Sequence, residues 1–185
     1  MTYEEAKNYL EDCNQYAGEF TLEPLKEMLR RLGDPQDRLQ FVHIAGTNGK
    51  GSVLAYVSTV LKEAGYRVGR YISPTIFSYR ERIQVNEQYI SREDLVRLTG
   101  RVRETGDRML AEGLHHPTMF EAETALAFLY FAEQACDLVV LECGMGGRMD
   151  ATNVIRRTAA AVLASISMDH MGYLGDTLSE IAGNK

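Results

Sequence analysis

The spacing of apolar residues along this chain switches between roughly a three-to-four-residue period and short continuous runs, and each switch marks an element. Thr2, with Glu5 three residues on, opens a first helix. Thr21 opens a second, in which Leu25, Met28, Leu29 and Leu32 share one face before Gly33 and Pro35 end it. Residues 39–45 (LQFVHIA) form a compact apolar run of strand length. A glycine-rich loop follows, then a helix over 52–64 on which Val53, Tyr56, Val57, Val60, Leu61 and Ala64 recur, stopped by Gly65. Residues 67–72 supply a second strand, parallel to the first because a helix connects them. Beyond an irregular stretch at 73–81, residues 82–91 read as a hairpin turning at Asn86-Glu87. Ser91 with Asp94, and Thr118 with Glu121, start two further helices, the second carrying Ala125, Phe128 and Leu129. Residues 137–143 (DLVVLEC) and 158–166 (TAAAVLASI) are continuous apolar strands, as a sheet buried on both faces requires. The alternation predicts a three-layer α/β domain with a mainly parallel sheet. Thr177 with Glu180 opens a last helix that the sequence leaves after barely two turns, so the chain reads as part of a longer protein.

Composition narrows the partners. A net charge of −6 disfavours a broad nucleic-acid surface, so an anionic ligand must meet a local basic site. Cys13, Cys136 and Cys143 make neither an even disulfide set nor a C-x-x-C pair, which points to a reducing compartment. The N-terminus is charged from its fourth residue, and the longest apolar run, 159–164, is too short to span a bilayer. A soluble, cytoplasmic protein without nucleic-acid or membrane partners is expected.

In such folds ligands sit at the carboxyl ends of the strands. Those ends carry Gly46–Ser52, Ser73, Glu142–Asn153 and Asp169-His170, where nearly all the unusual residues fall. In Gly46-Thr47-Asn48-Gly49-Lys50-Gly51-Ser52, three glycines allow backbone N–H groups to turn onto an oxyanion, and the loop opens onto a helix N-terminus. Lys50 can reach terminal phosphates and Ser52 can ligate Mg²⁺. The loop departs from the G-x-x-x-x-G-K-[ST] pattern, because Gly51 stands between the lysine and the hydroxyl. Glu142, a carboxylate closing an apolar strand, suits a hard cation, and Ser73 and His170 could complete the set. Each also has a plainer role: Ser73 before Pro74 as a turn, His170 as a hydrogen-bonded structural group, Thr118 to Glu121 as a capping box, Asp150 as a turn residue. Arg80, Arg82 and Arg148 lie in irregular or glycine-rich loops and could bind an anion, although most exposed arginines bind nothing specific.

Taken together, HIAGTNGKGSV (43–53), Ser73-Pro74 with ERIQVN (81–86), TMFEAETALAF (118–128), LECGMGGRMDATNVI (141–155) and SISMDHMGYLGDTLSEIA (165–182) resemble folylpolyglutamate synthase and dihydrofolate synthase. These form a branch of the Mur-type amide ligases in which glycine and then a hydroxyl residue follow the loop lysine. The resemblance covers about four-fifths of the chain. It implies a P-loop-containing central domain of the Mur-ligase type, with residues 1–185 its N-terminal part and a C-terminal glutamate ligase domain outside this sequence. It also implies ATP and Mg²⁺ as cofactors, folate or dihydropteroate and L-glutamate as substrates, an acyl-phosphate intermediate and a monomer at full length. Gly46 to Ser52 would take the nucleotide phosphates, and Ser52, Ser73, Glu142, His170 and Lys185 would take the metal, Lys185 as a carbamate. Arg82, Thr118, Met119, Phe120, Glu121, Met149, Asp150 and Ala151 would line the pterin site, with Pro74 to Arg82 as a mobile loop. Lys50, Asp150 and His170 would act most directly in the chemistry. At the end of a truncated helix Lys185 is expected to fray, and the 185 residues alone are expected to be inactive. Two other readings stand beside this one: a cell-wall Mur peptide ligase, against which Gly51 and the ERIQVN and TMFE blocks argue, and a nucleotide-binding module without ligase activity.

Overall fold

The structure is a computed structural model and describes residues 1–18 and 21–185. Four parallel strands form the body of one sheet: β1 (Phe41–Ala45), β2 (Val68–Tyr71), β5 (Leu138–Glu142) and β6 (Thr158–Leu163). The hairpin β3 (Ile83–Val85) and β4 (Gln88–Tyr89) adds antiparallel strands at one edge, giving the order β4-β3-β2-β5-β1-β6. Its turn is the expected Asn86-Glu87, both at positive φ, a conformation that suits the twist of a two-residue hairpin.

Strand alternation sorts the core into two layers. Val42 and Ile44 of β1 and Val140 of β5 face helix α3 (Lys50–Glu63) with Leu54 and Val68. Phe41, Val139 and Leu141 point the other way. There α5 (Met119–Glu133) packs on the sheet, with the Phe128 ring edge-on to Phe41 and Phe131 closing on Gly69. Helices α1 (Tyr3–Asp12), α2 (Glu23–Arg31) and α4 (Arg92–Ala111) cover the outer side of α5. That second cover explains why α5 is buried all round, from Glu121 to Phe131, rather than amphipathic. A short helix α6 (Leu178–Asn184) starts at the expected Thr177/Glu180 box.

Several expected details shift. Helix α2 begins at Glu23, after Leu22, and Thr21 Oγ1 accepts from the Glu23 N–H. Helix α3 begins at Lys50, because Gly49 at φ +85° turns the loop into the helix two residues early. Its buried face is Leu54 and Ser58 flanked by Val57 and Leu61, whereas Tyr56 and Val60 are 75% and 66% exposed. The apolar run of β6 is not buried on both faces: the strand pairs with β1 alone, at the sheet edge, and five of its six residues are exposed. A continuous apolar run cannot reveal whether a strand is central or at an edge. The three cysteines are free and buried, and among the described residues no helix is long and apolar enough to cross a membrane.

One packing detail generates a test. Gly106, inside α4, lies under the imidazole of His116, which is pinned by Tyr9 Oη at 3.0 Å, by the Pro117 carbonyl at 2.7 Å and by stacking on Tyr16. A Cβ at Gly106 would stand 2.2 Å from Nε2 of that ring. Alanine gains about 1 kcal/mol in helix propensity, but overpacking costs about 1–3 kcal/mol and the ring has no room to retreat. Gly106→Ala should therefore lower the thermal midpoint of the whole protein, while Gly100→Ala in the same helix, where a Cβ meets only the Met1 side chain at 3.9 Å, should leave or raise it.

Candidate active site

The glycine loop follows β1 and is tied to the strand beside it. Gly46, at φ +142°, lies so close to Ser165 that a Cβ would come within 3.1 Å of its backbone. Thr47 N–H donates to Ser165 O at 2.7 Å, Asn48 N–H to Ser165 Oγ at 3.1 Å, and Thr47 Oγ1 accepts from Ser167 N–H at 3.1 Å. Lys50 is folded over this loop, with Nζ 3.0 Å from Gly46 O and 3.3 Å from Thr47 O. An ammonium held only by carbonyls can exchange them for phosphate oxygens. Gly51 and Ser52 are exposed on the first turn of α3.

Glu142 faces this loop. It pairs with Ile44 in the sheet, its Oε2 lies 4.0 Å from where a Gly51 Cβ would stand, and it accepts from Ser73 N–H at 3.4 Å. Burial pushes its pKa up, opposed by the Ser73 N–H and by the nearby Lys50 charge. A carboxylate that is 6% exposed and whose hydrogen bond from Ser73 is 3.4 Å long suits a hard cation. His170 belongs to a different group: its Nε2 is 3.5 Å from Asp169 Oδ1, and Asp169 Oδ2 is 3.2 Å from Lys185 Nζ. Among the described residues no three His, Cys, Asp or Glu side chains cluster as a metal site. The Lys185 side chain is not frayed but 1% exposed, and its carbonyl lies against Gly147.

The opposite side of the sheet's carboxyl edge holds a cavity of about 860 Å³, large enough for a drug-sized ligand. Of the expected substrate residues, Thr118, Phe120, Glu121, Met149, Asp150 and Ala151 line it. Glu121 is occupied by its cap, accepting from Thr118 N–H at 2.7 Å and Oγ1 at 2.9 Å, and burial raises its pKa against those bonds. Asp150 is 6% exposed; its Oδ2 accepts from Met145 N–H at 2.8 Å and its Oδ1 from Thr152 N–H at 2.9 Å. Two expected residues lie elsewhere. Arg82 stands behind Phe120, its guanidinium 5.8 Å from the ring and its Nε 3.3 Å from buried Glu123. Met119 turns its sulfur to the Asn14 amide at 3.3 Å. Arg80 donates to Ile90 O, and Arg148 is exposed. The stretch from Pro74 to Arg82 is organised by Glu81, whose carboxylate accepts from the Ile76, Phe77 and Ser78 N–H groups and has its pKa lowered by them. Phe77, at its tip, is 92% exposed.

Sequence reasoning missed Asp169 as the partner of Lys185, Ser165 and Ser167 as anchors of the loop, and Tyr16 and His116 on the cavity wall. It also missed His43, although a signal was present: His43 is the lone ionisable residue inside the apolar run 39–45.

Comparison with known proteins gives a consistent picture. The Mur ligase middle domain model matches residues 44–185. The chain is 41% identical over 184 residues to the dihydrofolate synthase/folylpolyglutamate synthase of Bacillus subtilis, covering 99% of this chain and 43% of that protein. With the dihydrofolate synthetase of Saccharomyces cerevisiae it shares 39% over 174 residues, 90% of this chain and 39% of the relative. Among solved structures, the apo form of L. casei FPGS superposes with a TM-score of 0.94 at 34% identity, and an FPGS–AMPPCP–folate complex with 0.95 at 35%. Each match covers the whole of this chain and 45% of the other. The chain thus spans less than half the length of these relatives. It belongs to the Mur ligase middle-domain family, and within that family it is similar over its whole length to the folylpolyglutamate and dihydrofolate synthases.

Proposed function

We propose that the whole protein is an ATP-dependent ligase joining the amino group of L-glutamate to a carboxylate of a folate or of dihydropteroate, and that this chain supplies the phosphate site and one wall of the pterin site. One observation carries the reading. The segment from Glu142 to Ala151 begins with a carboxylate against the phosphate loop and continues directly into the wall of the cavity, through Gly144–Gly147 to Asp150. A phosphoryl donor bound at the loop and an acceptor bound in the cavity would meet across that segment. The FPGS complex with AMPPCP and folate, similar over the whole chain, supports the same pairing of ligands.

A carboxylate resists attack by an amine because its charge is delocalised and oxide is a poor leaving group. Transfer of the ATP γ-phosphoryl group to it gives an acyl phosphate, which the glutamate amine attacks to release phosphate. The chain's task is positioning and charge neutralisation. The Gly46–Gly49 backbone and the N-terminus of α3 would cradle the phosphates, and Lys50 would move from the Gly46 and Thr47 carbonyls onto the terminal phosphoryl oxygens. Ser52, Ser73 and Glu142 would hold Mg²⁺, with His170 and a modified Lys185 approaching from the Asp169 side. Bound there, the ion would supply positive charge to offset that of the phosphates. Asp150, fixed by backbone N–H groups, would accept from N–H donors on the pterin edge. Glutamate and adenine recognition fall to the part of the protein outside this chain, so the 185 residues alone should turn nothing over.

Three measurements test this in the whole protein. Lys50→Ala should reduce glutamate-dependent ADP release by about 100-fold or more, the scale for losing a charge-stabilising donor, and undiminished turnover would sink the assignment. Asp150→Ala should keep ATP-analogue affinity yet lose turnover with folate and dihydropteroate; parallel loss of nucleotide binding would count against a pterin role. Glu142→Gln should raise the Mg²⁺ concentration for half-maximal activity about tenfold, and an unchanged Mg²⁺ titration would remove Glu142 from the metal site.

A further inference from the structure

On the far side of Asp150 from the cavity lies a polar chain that the ligase chemistry leaves without a role. The alternation that turns Val42 and Ile44 toward α3 turns His43 the other way, between Leu141 of β5 and Ala161 of β6. Its Nε2 is 2.7 Å from Thr152 Oγ1 and 3.0 Å from Cys143 Sγ. Thr152, wholly buried, places Oγ1 2.5 Å from Asp150 Oδ1.

We propose that His43 and Thr152 are positioning residues for Asp150, holding its carboxylate in the one orientation that presents it to the N–H edge of a pterin substrate. This rests on the functional reading above.

Hydrogen-bond bookkeeping directs the chain. The Thr152 hydroxyl has one proton, and an ionised carboxylate can only accept, so that proton goes to Asp150 Oδ1. Thr152 Oγ1 must then accept from His43, which places the ring proton on Nε2. Burial lowers the His43 pKa, against the pull of the Asp150 charge, and keeps the ring neutral. Without His43 the Thr152 Oγ1 loses the donor that fixes its side chain, and the bond it gives Asp150 Oδ1 is no longer held in line. Asp150 would then rest on two backbone donors, Thr152 N–H to Oδ1 and Met145 N–H to Oδ2, without the side-chain bond that fixes the rotation of its carboxylate.

The test is steady-state kinetics of the whole protein with dihydropteroate or folate, ATP and glutamate varied in turn. His43→Ala should raise the KM for the pterin about tenfold, the scale for losing a hydrogen bond that serves a charged group, with the KM values for ATP and glutamate unchanged. His43→Gln, whose amide nitrogen can stand where Nε2 stood, should restore most of the loss. Thr152→Val should match His43→Ala, Thr152→Ser should stay near wild type, and the His43→Ala/Thr152→Val double variant should be no worse than either single. Should His43→Ala fail to fold, the Gln, Val and Ser variants decide the matter. A Gln variant no better than Ala, a Val variant with unchanged pterin KM, or losses spread evenly over all three substrates would overturn the proposal. A wild-type protein with no pterin- and glutamate-dependent ADP release would overturn the functional reading and this inference with it. An active wild type with unmoved variants overturns the inference alone.

Discussion

The register of β1 against β5 is the constraint on which the rest of the structure depends. Ile44 pairs with Glu142 and His43 with Leu141, and side chains along each strand alternate between the two faces of the sheet. Glu142 therefore joins the side of α3 and the glycine loop, while His43 and Cys143 join the side of Asp150 and the cavity. A slip of one residue would put either the carboxylate into the large apolar core or the imidazole beneath α3. Burial of Val42, Ile44 and Val140 on one face, and of Phe41, Val139 and Leu141 on the other, excludes that slip. The hydrophobic effect thus assigns the polar groups their sides without any direct interaction among them.

The glycines then let the chain use both sides of one edge. Gly46 and Gly49 take positive φ and bring the loop backbone against Ser165 and Ala164. Gly144 passes so near the Phe120 ring that a Cβ would meet it at 2.8 Å, and Gly147 lies under the Lys185 carbonyl. Between them the chain rounds the carboxyl edge of the sheet, from the face of the loop to the face of the cavity. A Cβ at Gly144 or Gly147 would collide with these neighbours and push the segment off that path.

Much of this was legible beforehand, for identifiable reasons. Strand runs, capping boxes and the Asn86-Glu87 turn are local signals, and they located the sheet, the hairpin and the starts of α1, α4, α5 and α6. What local signals lack is the neighbour. The apolar run of β6 reads like that of β5, yet one is an edge strand and the other central. Arg82 looked like an anion ligand because nothing nearby in sequence predicts Glu123, forty-one positions on, as its partner. Asp169 stands out at a strand end, but its pairing with Lys185 is not readable there, since that partner is reached only through the fold of the intervening turns. Family resemblance supplied roles for Thr118 to Glu121 and Asp150, where capping alone would have been a sufficient account.

Electrostatics links the two halves of the proposed site. The chain is acidic, with a net charge of −6, and it places a buried carboxylate, Glu142, beside a loop suited to phosphates. Burial alone raises the pKa of Glu142, so an ionised carboxylate there is costly, and an arriving polyphosphate would add to the repulsion. Lys50 offsets one charge only. A divalent cation there would resolve the conflict, because it would be attracted by the carboxylate and the phosphates together and by neither as strongly alone. On the proposed function, then, nucleotide and metal should bind with positive coupling, each lowering the cost of the other. The acidic residue that looks out of place beside such a loop would be what makes that coupling possible.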